Sequence, residues 1–347
     1  MELAIDSFAA LMPDAISGAM PSPPERMAFV LEEIETADRA GIDAFGVGEH
    51  HRPEFIDTSP VVILAAAAAR TRKILLHSAV TVLSAADPVR VFEDFATLDL
   101  ISGGRAEIVA GRGSFIDAFP LYGLSLDDYD DLYAEKLDLL LKIRAGNPVT
   151  WSGRFRPALH EQNIYPRPQQ AQLPIWIGVG GTPESFVRAG MLGLPLMVAI
   201  IGGGLARFAP LVDLYRKAGA QAGHPPEQLK VGLHAMGFVG ETDREACDTF
   251  FAGWYFMFTQ LAKERGWRGA SREQFDAFAG PGGAFLVGSP ETVAAKMLEA
   301  SATFGGLARI SFQMSAASGN RPAMIRSIEL LGSAVAPIVR AAQAAPR

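Results

Sequence analysis

The sequence predicts an α/β fold of the (β/α)8 TIM-barrel type. Eight short apolar runs alternate with segments of helical periodicity, and 347 residues suffice for eight such repeats. Within each run the apolar residues are mostly consecutive rather than alternating, as expected of parallel strands that are buried on both faces. The predicted strands are 3–8, 43–50, 74–83, 106–111, 174–179, 196–201, 231–240 and 309–314.

A doubly wound sheet is the alternative fold. Such a sheet usually has fewer strands, and a glycine fingerprint follows its first strand. The first strand here continues as LAIDSFAALMPD, which lacks those glycines. Because no interdomain linker, repeat or low-complexity segment interrupts the chain, residues 1–347 are expected to form a single domain.

The helices predicted between these strands carry clear end signals. An amphipathic segment at 25–40 is followed by Gly41, and glycine commonly terminates a helix at that position. Four helix starts pair an N-cap side chain with proline at the first helical position. These starts are Ser22-Pro23, Asp87-Pro88, Thr182-Pro183 and Ser289-Pro290.

Two long segments interrupt the regular spacing, between strands 4 and 5 and between strands 7 and 8. Residues 145–173 are rich in turn residues, and WSG at 151–153 is typical of a hairpin tip. Residues 241–308 contain an aromatic run at 250–258, typical of core or of a subunit contact, with the lining of an apolar cavity as the alternative. Such insertions are expected to cover the active-site end of a barrel.

Composition excludes several classes of protein. The net charge is −7 and the basic residues are scattered, which argues against nucleic-acid binding. A single cysteine, Cys247, excludes an internal disulfide. The N-terminal segment has no signal-peptide pattern, and the longest apolar run, 61–69, is too short to cross a membrane. The sequence therefore predicts a soluble cytoplasmic protein without a membrane partner.

Polar residues follow several predicted strands, at the end of the barrel where active sites form. Glu49, His50 and His51 end the second strand, and a histidine can act as an acid or base near neutral pH. Because adjacent strand residues point to opposite faces, at most one histidine would face the barrel mouth if strand geometry persisted. A purely structural histidine is the alternative. The spacing does not match a metal-binding motif, so no metal site is predicted.

A candidate anion site lies in GVGGTPES at 178–185. Gly180 and Gly181 allow close backbone approach, and Thr182 and Ser185 could donate to a phosphate at the start of a helix. Arg112 in the GRG turn could supply a forked, positively charged donor. The alternatives are an ordinary capped helix, in which Thr182 bonds its own first turn, and a surface arginine.

These motifs together resemble the bacterial-luciferase-like flavin monooxygenases, over nearly the full length of the chain and most closely in the FMN-using branch. The order of the LDLISGGR…GRG block and of PRPQ before GGTPES is specific to that family. The resemblance implies a (β/α)8 barrel and, in members, a homodimer. The matching segments are 46–55, 87–113, 165–169, 174–185 and 193–195.

The resemblance also implies the roles of individual residues. FMN would bind at the C-terminal face of the barrel, with its phosphate near Arg112, Ser114, Gly180, Gly181, Thr182 and Ser185. His50 would be the catalytic histidine and Glu49 would lie beside the flavin ring, which a non-proline cis peptide at Ala79–Val80 would support. Two departures stand out. Asp130 replaces a further phosphate-binding arginine of bacterial luciferase, and Gly111 replaces a cysteine near its flavin, so light emission is not implied.

The function implied is that of a two-component monooxygenase. A separate NAD(P)H-dependent flavin reductase would supply reduced FMN, and dioxygen would then be used to oxygenate a small organic substrate. The apolar covering segments favour an uncharged or hydrophobic substrate. Two alternatives remain: a dehydrogenase or reductase of the same fold that uses a deazaflavin coenzyme, and a non-catalytic flavin-binding homologue.

Overall fold

The structure, a computed structural model, describes residues 1–113, 115–266 and 269–344. The strands are β1 (Glu2–Ser7), β2 (Ala44–Val47), β3 (Leu75–Ser78), β4 (Thr81–Val82), β5 (Ala106–Gly111), β6 (Val149–Trp151), β7 (Leu159–Gln162), β8 (Ile175–Val179), β9 (Leu196–Ile200), β10 (Val231–Val239), β11 (Leu286–Gly288) and β12 (Arg309–Gln313). The helices are α1 (Pro23–Ala40), α2 (Pro60–Arg70), α3 (Pro88–Ser102), α4 (Ala118–Leu121), α5 (Tyr129–Ala145), α6 (Pro183–Met191), α7 (Ala209–Gln221), α8 (Asp243–Arg265), α9 (Arg272–Ala279), α10 (Pro290–Thr303), α11 (Arg321–Leu330) and α12 (Ala336–Ala344).

Parallel strands at eight positions close into a barrel, which confirms the predicted fold. The order around the barrel is β1, β2, β3, β5, β8, β9, β10 and β12, and β12 pairs with β1 to complete the circle. β4 continues the third position and pairs with the end of β5. All eight predicted strands are present, and nearly every residue in them is buried, as the consecutive apolar runs indicated.

Helix ends follow the predicted signals, with one informative exception. Gly41 ends α1 in the left-handed region, at φ 74°. Ser22, Asp87 and Ser289 accept hydrogen bonds from the first turns of α1, α3 and α10. The Thr182 side chain makes no such bond to α6, so its hydroxyl remains available to the cavity described below.

The two long connections contain their own structure. Between β5 and β8 lie α4, α5 and the antiparallel pair β6–β7, whose connecting loop at 152–158 is longer than a tight WSG turn. Between β10 and β12 lie α8, α9, α10 and the short strand β11, which pairs with the end of β10. The aromatic run 250–258 falls within α8, beside the barrel mouth.

The C-terminal helical segment packs on the barrel. Arg321–Ala344 is the one stretch in the described ranges that is long and apolar enough to span a membrane by length and composition. α11 contacts α1, and α12 contacts α10. Its apolar residues form part of the core of the helical layer, since the relative exposure of Met324, Ile328, Leu331, Val335 and Val339 is at most 1%.

A buried ion pair lies within α1, and its arginine also binds the end of β1 and the segment that follows. The Arg26 and Glu33 side chains are each 2% exposed, and their charged atoms lie 2.8 Å apart. Arg26 also donates through Nε to the Ala10 carbonyl at 2.9 Å and contacts the Ser7 hydroxyl at 3.4 Å. These bonds hold the segment that follows β1, which borders the candidate site.

Candidate functional site

A cavity of about 630 Å³ opens at the C-terminal ends of the barrel strands. Residues that follow β1, β2, β3, β5, β8 and β9 line it, and α8 contributes apolar side chains such as Trp254, Met257 and Leu261. The aromatic run 250–258 therefore contributes both to the core and to the lining of an apolar cavity. Phe250 packs in the core, while its neighbours in α8 face the cavity. This position and size are typical of a small-molecule site in a barrel enzyme.

His50 lies on the cavity wall and is held from behind by Asp57. Asp57 accepts from the His50 Nδ1–H at 2.9 Å and from the His50 backbone N–H at 3.1 Å. A carboxylate can only accept, so this contact places the proton of the neutral ring on Nδ1 and leaves Nε2 as an acceptor. Burial raises the pKa of Asp57, while the hydrogen bond from His50 opposes that effect.

Aromatic rings and a glycine fix the orientation of the His50 ring. Its centroid lies 4.6 Å from that of Phe8, 4.4 Å from that of Phe55 and 5.3 Å from that of Phe115. A Cβ added at Gly48 would lie 2.7 Å from Phe8 and 2.8 Å from the Asp57 carboxylate. The absence of a side chain at Gly48 is therefore what allows His50, Asp57 and Phe8 to pack together.

Glu49 and His51 form a second pair on the same wall. Glu49 accepts from the backbone N–H of Val82 at 2.8 Å and lies 3.2 Å from His51 Nε2. β2 ends at Val47, so strand alternation does not extend to these residues, and both His50 and His51 line the cavity. The prediction that at most one histidine faces the barrel mouth required strand geometry to persist to His51, and it does not. The hydrogen bond to Glu49 raises the pKa of His51, although burial opposes the effect.

We expect the titration of His51 to report on Glu49. The folded-state pKa of His51 is raised above its ordinary value of 6.5. The His51–Glu49 interaction therefore stabilises the folded protein at pH values below 6.5, and this stabilisation is lost as the pH rises through the folded-state pKa. In Glu49→Gln the His51 pKa should fall, as followed by NMR of the six labelled imidazoles. An unchanged His51 pKa would contradict the pairing.

The peptide bond between Ala79 and Val80 is cis, at the position that the family resemblance implied. The Val80 side chain lies against two glycines of neighbouring strands. A Cβ at Gly111 would be 2.6 Å from Val80 Cγ2, and one at Gly178 would be 2.8 Å from Val80 Cγ1. The glycine that replaces the luciferase cysteine is thus required by the packing of Val80.

Arg112 meets the GGTPES segment, as the sequence suggested. Its guanidinium lies 3.2 Å from the Ser185 hydroxyl and 3.4 Å from that of Thr182, and it forms a close ion pair with Asp130. Gly180 and Gly181 line the cavity beside them. These hydroxyls and the guanidinium form a donor cluster suited to an anionic group. Ser114, the other residue implied here, lies outside the described residues.

The cavity floor is polar, and no sequence motif marks it. Asp6, His77, His234 and Gln313 all project from the inner faces of barrel strands. Asp6 accepts from His234 Nδ1 at 2.6 Å and lies 3.4 Å from His77 Nε2. The only signal in the sequence is a polar residue within the apolar runs of these four strands, β1, β3, β10 and β12.

Burial governs the charge states of this floor. Burial lowers the pKa of His77, which favours its neutral form. Burial acts to raise the pKa of Asp6, but its contacts with His77 and His234 outweigh that effect, so the pKa is lowered. Gln313 is fully buried, and neither its amide oxygen nor its amide nitrogen has a hydrogen-bond partner among the described residues. Both atoms can therefore bind a polar group of a molecule in the cavity.

Within the part of the chain that the structure describes, no group of three or more His, Cys, Asp or Glu side chains could hold a metal ion. The side chains present are suited to proton transfer at His50, hydrogen bonding at the floor and binding of an anion at Arg112. All three regions border one cavity, whose remaining walls are mainly aromatic and aliphatic.

Comparison with known proteins identifies consistent relatives. A family profile described as luciferase-like monooxygenase matches residues 7–306. The structure of monooxygenase RslO1 from Streptomyces bottropensis has a TM-score of 0.83 at 25% identity, and covers 97% of this chain and 99% of that one. The oxygenating constituent of 3,6-diketocamphane monooxygenase from Pseudomonas putida, a type II Baeyer–Villiger monooxygenase solved with FMN, has a TM-score of 0.80 at 21% identity, with 98% of both chains covered.

Curated sequence relatives align over shorter stretches. F420-dependent glucose-6-phosphate dehydrogenase of Beutenbergia cavernae is 32% identical over 165 residues, which are 45% of this chain and 48% of that protein. Alignments with two further curated relatives span 44% and 58% of the lengths of those proteins. The chain therefore matches about half the length of these relatives.

Proposed function

The chain belongs to the luciferase-like monooxygenase family, and from this premise we propose that it is an FMN-dependent monooxygenase that oxygenates a small organic substrate with dioxygen. The observation that carries the proposal is the arrangement of one cavity. The His50–Asp57 pair and the Arg112, Thr182 and Ser185 cluster both border it.

The residues present fit a flavin mononucleotide. Arg112, Thr182 and Ser185 offer charged and neutral donors of the kind that bind a phosphate. Gly111 and Gly178 leave a smooth wall around Val80, against which a planar ring could lie. Bound reduced flavin would supply the electrons that activate dioxygen.

The remaining roles belong to the protein. His50 would hold and move a proton at Nε2, with Asp57 fixing its tautomer and orientation. Phe8, Phe55 and the apolar face of α8 would exclude water from the reacting atoms. Gln313 would orient a substrate through one polar group, while the apolar walls select for its hydrophobic part. This combination favours an organic substrate with few polar atoms.

Further parts of the proposal concern partners. Reduced FMN would come from a separate NAD(P)H-dependent flavin reductase, and the protein would act as a homodimer, in keeping with the family resemblance. The main alternative is a deazaflavin-dependent dehydrogenase or reductase, which the similarity to an F420-dependent dehydrogenase favours. A flavin-binding homologue without turnover is the third candidate.

Anaerobic titration with reduced FMN and with reduced F420 tests the proposal. We expect saturable binding of reduced FMN, and we expect oxygenated product when the loaded protein is mixed with dioxygen in the presence of candidate organic substrates. Product formation is followed by mass spectrometry with ¹⁸O₂. Tight binding of F420 with none of FMN would favour the deazaflavin alternative, and binding of FMN without reaction towards any substrate would favour the non-catalytic one.

A further inference from the structure

We propose that Arg207 is the second cation of the phosphate site and that it contacts the phosphate of the bound flavin from the neighbouring barrel strand. This inference rests on the proposed function, because it requires a phosphorylated coenzyme in the cavity. Three features support it: the position of Arg207, the charges around Arg112 and the contacts that hold the turn carrying Arg207.

Arg207 lies beside the same loop as the other candidate phosphate residues. It belongs to a short 3₁₀ turn, Leu205–Phe208, which follows β9, and β9 pairs with β8, the strand that leads into Gly180 and Gly181. A Cβ added at Gly181 would lie 3.9 Å from Arg207 Nη2. Arg207, Arg112 and Thr182 all line the cavity. The guanidinium is thus within reach of a group bound between Arg112 and the start of α6.

The charge on the Arg112 side of the site is already neutralised. Asp130 forms a close ion pair with Arg112, so these two residues together contribute no formal charge. A phosphate monoester carries about −1.5 to −2 charges near pH 7. Its binding therefore calls for a cation that is not already paired, in addition to the hydroxyls of Thr182 and Ser185.

Arg207 meets that requirement. It is solvent-exposed, and among the described residues its guanidinium forms no ion pair and no hydrogen bond, only a cation–π contact with Phe208 at 5.2 Å. All of its donors are therefore available to an incoming oxyanion, which a guanidinium can bind with two parallel hydrogen bonds.

The backbone of the turn holds Arg207 in place. Leu205 and Phe208, on either side of it, are 3% and 6% exposed. Leu205 N–H donates to the Gly282 carbonyl at 3.2 Å, and Ala284 N–H donates to that of Gly203 at 3.0 Å. The side chain thus projects from a fixed turn into the cavity, and a bound phosphate would require no rearrangement of the loop.

Affinity for FMN and for riboflavin, which lacks the phosphate, separates this role from others. Anaerobic titrations with each reduced flavin give dissociation constants for the wild type and for Arg207→Gln. Because a hydrogen bond to a charged group contributes about 1.5–3 kcal/mol, Arg207→Gln should weaken FMN binding about 10- to 100-fold. Riboflavin affinity should change less than about twofold. Arg244→Gln, which alters an arginine with a side chain 93% exposed on α8, is the control and should change neither constant.

Removing the negative charge of Asp130 gives a second test, again read as the dissociation constant for FMN. Asp130→Asn should strengthen FMN binding in the wild type and restore part of the affinity lost in Arg207→Gln, since it frees Arg112. Raising the salt concentration should reduce FMN affinity less in Arg207→Gln than in the wild type, because one charge pair has been removed.

Several results would overturn the proposal. Unchanged FMN affinity in Arg207→Gln, alongside a loss in Arg112→Gln, would remove Arg207 from the phosphate site. Equal losses for FMN and riboflavin would place its effect away from the phosphate, and an effect confined to the KM of an anionic substrate would assign it to that substrate instead. If the wild type binds F420 but not FMN, the proposed function fails. The Arg207 proposal is then tested by comparing F420 with its phosphate-free deazariboflavin: a loss of affinity in Arg207→Gln for F420 alone supports it, and equal or absent losses overturn it.

Discussion

His50→Asn should lower the rate of substrate oxygenation by about 10²- to 10⁴-fold while leaving the affinity for FMN within a few fold. The physical reason is the loss of Nε2, the proposed proton-transfer atom, which the Asp57 contact leaves free to act as an acceptor. The measurement is a single turnover of the FMN-loaded protein with dioxygen and a substrate identified by ¹⁸O₂ screening. Because the chain has an exposed histidine on β7, His160→Asn is a matched control and should retain the wild-type rate.

Asp57→Asn separates a proton-transfer role of His50 from a merely structural one. The neutral amide would keep the ring in place but would no longer stabilise a protonated imidazole, and losses of partners of this kind typically cost about 10- to 100-fold. We therefore expect a smaller decrease than in His50→Asn, together with a displaced pH–rate profile. A wild-type rate in His50→Asn would show that the reaction does not use this histidine.

Arg26→Met should reduce the free energy of unfolding by about 3–5 kcal/mol, because it leaves the Glu33 carboxylate buried without its partner. Both side chains are 2% exposed, so solvent cannot replace the lost contacts. The variant also loses the hydrogen bond from Nε to the Ala10 carbonyl, which holds the segment after β1. Equilibrium unfolding in urea, followed by circular dichroism, gives the magnitude.

The double variant Arg26→Met, Glu33→Leu tests the cause of that loss. Removing both charges leaves apolar groups of similar size, so most of the lost stability should return. Arg90→Met, which removes an exposed arginine that pairs with Glu93 on α3, is a control and should change the free energy of unfolding by less than about 0.5 kcal/mol. A double variant no more stable than Arg26→Met would point to the Ala10 bond rather than to the buried charge.

The barrel was predictable because its signals are local. Consecutive apolar residues in eight short runs indicated parallel strands, and proline after a capping residue marked helix starts at Pro23, Pro88 and Pro290. Thr182 has the same local pattern but does not cap its helix. Its hydroxyl contacts Arg112, 70 residues earlier in the chain, and no local pattern could distinguish these two uses of one hydroxyl.

The candidate site was predictable where its residues fall in motifs and unpredictable where they come together through the fold. His50 and Arg112 stand at strand ends and in motifs that match the family. Asp57, by contrast, follows His50 by seven residues in an irregular loop, and its role depends on a turn that brings its carboxylate back to the histidine ring. Arg207 has no motif at all and gains its interest only from the pairing of β8 with β9.

The sequence by itself determined the barrel, the family and the segments from which the site is built, because buried parallel strands, helix caps and glycine turns depend on residues close together in the chain. Only the tertiary structure decided which side chains meet. It brought Asp6, His77 and His234 together from three strands and set Asp130 against Arg112. It also left the Gln313 amide without a partner in the described part of the chain. Distances across a closed barrel depend on the register and tilt of all eight strands together, so no single segment encodes them.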